Sequence, residues 1–147
     1  MIDESSVRAW VAGYERAWRT AGTAQIQELF TTNATYQMAP FQEPHRGLAA
    51  IRALWDNERA GPSEEFEMDF EVIAADHPHA VVRVEVRYGQ PHPQRFRDLW
   101  VLEFDEDGRC QTFEEWPFTP EHPVPHHEPS TTRPASQPTP PSCGSPQ

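Results

Sequence analysis

In FRDLWVLEF (residues 96–104) apolar side chains recur at every second position, Phe96, Trp100, Leu102 and Phe104, the pattern of a strand with one buried face. Asp98 shares that parity. A carboxyl on the apolar face of a strand loses hydration, which raises its pKa unless a donor or a cation stabilises the charge. Tuned that way it can exchange a proton near neutral pH, so Asp98 is the candidate acid/base. The alternative is a structural ion pair with Arg95 or Arg97. In RCQTFEEWPF (109–118) Phe113 sets an inward parity that Glu115 shares, although a β-bulge would turn Glu114 inward instead. Tyr14 falls on the inner stripe of the first helix. His45 lies in the loop PFQEPHRG (40–47), where an imidazole suits acid/base work near neutral pH, and where a solvated, loop-pinning role is the alternative.

These residues need elements to hold them. Val7, Trp10, Val11, Tyr14, Ala17 and Trp18 recur at helical spacing within residues 4–20. AQIQELF reads as a short second helix, NATYQMA as a strand, and LAAIRALWDNERA as a third helix with Leu48, Ile51, Leu54 and Trp55 on one side. Four strands follow. FEMDFEV and VRVEVRY alternate apolar with charged residues, as antiparallel strands with one wet face do. Charge pairs on that wet face are worth under about 1 kcal/mol each and form a solvated surface. Helices first and a curved antiparallel sheet after make an α+β domain with three N-terminal helices. Trp18, Tyr36, Met38, Trp55 and Trp100, with Glu115, are expected to line its interior. They are either core filling or the wall of a pocket for a flat hydrophobic ligand. The 40–47 loop is then the mouth, its path set by Pro40 and Pro44 and released into a helix by Gly47.

The 147 residues suit one domain and a tail. Residues 1–118 form the domain. Residues 119–147, rich in Pro, Ser and Thr, have little to bury and are expected to be disordered. His122, His126 and His127 in that tail lack partner ligands, so no metal site is expected. Net charge −11 disfavours nucleic acid and anionic membrane surfaces. No run of about 18 apolar residues occurs, and the start MIDESSVRAW is acidic, so a cytoplasmic protein is expected. Cys110 and Cys143 fit neither a metal spacing nor a disulfide scaffold. Every basic side chain apart from histidine is arginine.

YERAWRTAGTAQIQELFTTNATYQMAPFQEPHRGLAAI and LEFDEDGRCQTFEEW resemble the SnoaL-like polyketide cyclase and ketosteroid isomerase branches of the nuclear transport factor 2-like superfamily. The resemblance covers about residues 5–118 and implies a cone-shaped fold, no cofactor and a homodimer formed through the outer sheet face, where Trp116 offers an anchor. The fold hosts many activities, so it does not name a reaction. It also implies that Tyr14 stands at the isomerase's oxyanion-donor position. The isomerase's general-base position is Met38 here and its second acid is Trp100. Methionine cannot take a proton from carbon, so ketosteroid isomerisation by that mechanism is not expected. In the cyclases an acidic residue works within an apolar cavity, the role for which Asp98 is nominated. Epoxide hydrolysis through an Asp–Arg–Asp network is disfavoured, because only one inward aspartate is evident.

Two functions remain open. One is acid/base cyclase, isomerase or hydratase chemistry on a polyketide-like or steroid-like substrate. The other is a non-catalytic ligand-binding or dimerisation module. A cavity of several hundred cubic ångströms on which Asp98 and Tyr14 converge favours the first, and a filled cone the second.

Overall fold

Asp3 starts the first helix by accepting a hydrogen bond from the Ser6 backbone N–H (2.8 Å), while Ser6 Oγ accepts from the Asp3 N–H (2.7 Å). This reciprocal cap satisfies two otherwise orphaned donors. The helix, α1 (Glu4–Arg19), buries Val7, Trp10, Val11, Tyr14 and Ala17, the stripe its spacing encodes. The computed structural model describes residues 1–59, 65–90 and 93–121. Within them follow α2 (Ile26–Leu29), β1 (Phe30–Gln37), β2 (His45–Arg46), α3 (Leu48–Glu58), β3 (Phe66–Asp76), β4 (His79–Tyr88), β5 (Gln94–Phe104) and β6 (Cys110–Phe118). The second helix is a single turn that runs directly into β1.

The strands form one sheet in the order β2-β1-β6-β5-β4-β3. The expected α+β layering holds, but an all-antiparallel sheet does not. β1 runs parallel to β6, with Tyr36 opposite Phe113, so the sheet is mixed. Alternation reports which face of a strand is buried; it does not report which strand lies beside it, and β1 and β6 are joined through most of the chain. Gly47, at φ 87°, turns the chain from β2 into α3 while its N–H donates to the Ala34 carbonyl (2.8 Å), a conformation that favours glycine.

On the outer face of β3 and β4, Arg83 pairs with Glu71 (2.8 Å) and Arg87 with Asp69 (2.8 Å), the exposed charge ladder anticipated from alternation. Inside, Trp10 meets Phe30, Trp100 and Phe104 edge-on and donates its indole N–H to the Leu29 carbonyl (2.9 Å). This aromatic cluster closes the narrow end of the cone. The tail beyond residue 121, with its three histidines and Cys143, lies outside the described residues. Among the described residues no helix is long and apolar enough to cross a membrane.

Candidate active site

The wide end of the cone is open. Helices α1 and α3 and the inner face of β3–β6 enclose a cavity of about 420 Å³. Asp98, Tyr14 and the six residues expected in its wall, Trp18, Tyr36, Met38, Trp55, Trp100 and Glu115, all line it. His45 does not. It lies on the short edge strand β2 opposite Tyr36, and the cavity's rim is formed instead by Ala39 and Gln42. The rim loop is held by Gln37, whose side-chain amide donates to the carbonyls of Pro40 (3.1 Å) and Gln42 (2.7 Å).

Strand parity positions the acids. On β5, Phe96, Asp98 and Trp100 face inward, and on β6 Phe113, Glu115 and Pro117 do. Glu115 is opposite Trp100, and Asp98 is opposite Pro117, so the two acids are diagonal neighbours on one face. No bulge intervenes there: Glu114 faces out, where it accepts a hydrogen bond from the Trp116 indole (2.6 Å). Asp98 is only 5% exposed, and its Oδ1 has no hydrogen-bond partner. An ion pair is not its role among the described residues. Arg97 points to the outer face, where Glu85 lies 3.7 Å away.

Burial pushes the Asp98 carboxyl above the ordinary range, partly offset by interaction with Glu115 and with the Trp100 indole. The Trp100 N–H completes no hydrogen bond of its own, so it helps Asp98 electrostatically without satisfying it. Glu115 is raised well above its ordinary value, first by burial, then by its hydrogen bond to Asp98, the Asp98 charge and the charge of Glu58. Two carboxyls this close cannot both ionise cheaply. Of the two, Glu115 is the member that holds its proton to higher pH.

Beside the acids the hydroxyls of Tyr14 and Tyr36 share a hydrogen bond of 2.5 Å. Burial raises both phenols well above their ordinary values, so both stay protonated and one O–H is left over to donate. Their rings are fixed by neighbours: Tyr36 stacks on Phe113 (4.3 Å between centroids), and Tyr14 packs against Trp100 (4.7 Å) and Trp55 (5.0 Å). The buried Trp55 indole N–H also lacks a complete hydrogen bond. The Cys110 thiol is inert: it is buried, donates to the Thr112 carbonyl (3.2 Å), and has its pKa raised by burial.

Sequence reasoning missed Glu58, which lines the cavity from the end of α3. The signal was present, since Glu58 follows Leu54 by four residues and Trp55 by three, on the same helical face. Among the described residues no group of three or more acidic, histidine or cysteine side chains is placed to hold a metal ion.

The model of the SnoaL-like domain matches residues 7–113. Two solved structures share the architecture. One is SalBIII, an epoxide hydrolase/cyclase-like enzyme with a role in pyran ring formation in the polyether salinomycin (20% identity, TM-score 0.65, covering 80% of this chain and 95% of that one). The other is an LEH-like epoxide hydrolase of M. tuberculosis (13% identity, TM-score 0.59, covering 78% and 84%). At these identities the likeness is one of fold. No curated protein matches the sequence.

Proposed function

Because the chain belongs to the SnoaL-like domain family and has its cone-shaped, nuclear transport factor 2-like fold, we propose that its cavity performs cofactor-free acid/base chemistry on a small, largely apolar molecule, with Asp98 as base and Glu115 as acid. The observation that carries this is the carboxyl pair on the inner face, Asp98 buried and Glu115 half-buried beside it. Two acids on the apolar face of a sheet, with no cation among the described lining residues, cost stability and serve no packing purpose. Such a pair is suited to moving a proton. The epoxide chemistry named for both structural relatives suggests the reaction class.

In that reaction Asp98 takes the proton from an attacking water or substrate hydroxyl as its oxygen bonds to an epoxide carbon. The epoxide C–O bond breaks, and Glu115 gives its proton to the departing oxygen. The spare tyrosine O–H donates a hydrogen bond to that oxygen as charge develops. The proton on Asp98 then passes to Glu115, restoring the starting state within the pair and without bulk solvent. Ketosteroid isomerisation by the isomerase branch's own mechanism is not part of this reading, since the position of that base is Met38, which lines the wall.

The test is turnover of aryl and alicyclic epoxides, with and without an internal hydroxyl. Rates should rise with pH as Asp98 ionises and fall as Glu115 loses its proton. Asp98→Asn and Glu115→Gln should each abolish turnover. Epoxides that bind in the cavity without turning over would favour the non-catalytic binding module.

A further inference from the structure

Every charged side chain that lines the cavity among the described residues is acidic: Asp98, Glu115 and Glu58. The chain has no lysine, and its nearby arginines are occupied elsewhere. Arg59 lies over the rings of Trp18 (5.9 Å) and Trp55 (5.6 Å) but donates to the carbonyls of Thr20 and Gly22, both at 2.9 Å. Arg19 lies over Phe66 (3.9 Å) and donates to Glu15 (2.8 Å) and the Phe66 carbonyl (3.0 Å). Neither guanidinium lines the cavity. Asp98 thus lines the cavity as an acid with no cation beside it, its Oδ1 buried and without a hydrogen bond, flanked on its own strand by the inward rings of Phe96 and Trp100. No guanidinium covers those two rings among the described residues.

We infer that the cavity selects a ligand in which a protonated amine is attached to an apolar body, the ammonium lodging against the Asp98 carboxylate beside the rings of Phe96 and Trp100. An ammonium N–H gives the carboxylate a charge-assisted hydrogen bond, and the two ring faces attract the cation. Glu58, exposed at the end of α3, adds a second negative charge at the entrance, and the net charge of −11 draws cations and repels anions. The apolar body fills the space among Trp18, Trp55 and Met68. The inference rests on the cavity being the binding site, as proposed above, and not on the proton transfer between Asp98 and Glu115.

Three probes with one aromatic body and different charge test it: naphthylmethylamine, naphthylmethanol and naphthoate, each titrated calorimetrically into the full chain at pH 7. The amine should bind at least about tenfold tighter than the alcohol, and naphthoate should not bind. Asp98→Asn should bring amine and alcohol to within about twofold of each other, and the exposed Glu58→Gln, which leaves the core untouched, should reduce the preference by about two- to fivefold. Alcohol binding as tight as amine binding, or a preference that survives Asp98→Asn, overturns the inference and leaves the binding-site reading standing. Failure of all three probes to bind overturns both.

Discussion

Replacing Asp98 and Glu115 together by Asn and Gln keeps their shape and hydrogen-bonding capacity and removes both titrations. Both acids have pKa values raised by burial above those of the unfolded chain. The native state therefore binds more protons than the unfolded state once the pH exceeds the ordinary carboxyl range of about 4. From there upward the pair's contribution to stability is lost as pH rises through the folded pKa values. Each excess proton gives a slope of at most about 1.4 kcal/mol per pH unit. Below pH 4 both forms of the pair are protonated, and wild type and double variant should be equally stable. Above it the double variant should become the more stable protein. Its advantage should grow with pH until both acids have ionised, at about 4 °C in melting temperature for each kcal/mol. Urea unfolding of both proteins from pH 4 to pH 9 measures the difference, in which the exposed carboxylates cancel. An advantage that does not change with pH would refute the reasoning. So would a loss of about 3–5 kcal/mol, the cost of stranding a buried ion-pair partner.

Three further outcomes are expected. His45→Ala should leave binding and turnover unchanged in the assays above, because His45 does not line the cavity. The outer faces of β5 and β6 expose Leu99 beside Trp116, with Phe118 next to them, so we propose that two copies pair through this surface. Light scattering at micromolar concentration should give a dimer that Trp116→Ala weakens, and a monomeric wild type would contradict this. Ending the chain at Phe118 should shift the melting temperature by no more than about 3 °C, since the Pro-rich tail has little apolar surface to bury.

The inner face of the site was legible because strand parity is a strict two-residue signal. Phe96 and Trp100 set the parity that places Asp98 inside, while Phe113 left Glu115 and Glu114 as alternatives until the absence of a bulge between Trp116 and Thr112 decided for Glu115. Their pairing was not legible. It depends on the register of β5 against β6, which sets Glu115 opposite Trp100 and diagonal to Asp98. Neither strand carries a signal that fixes such an offset when both faces continue in the same alternation. The contact of Tyr14 with Tyr36 joins a helix to a strand across the cone and has no local signature either. His45 was misleading for a related reason. A histidine beside two prolines marks a loop, but the loop's path was decided by Gln37 and by the pairing of β2 with β1. The parallel contact of β1 with β6 was hidden behind the same limit.

The central claim is that Asp98 and Glu115 share one proton in the folded protein at neutral pH. Infrared spectroscopy of the carboxyl stretch at pH 7, in water and in deuterium oxide, tests it most directly. Wild type should show a protonated carboxyl band that shifts on deuteration, disappears in Glu115→Gln and moves in Asp98→Asn. A wild-type spectrum at pH 7 with no protonated band sensitive to Glu115→Gln would contradict the account.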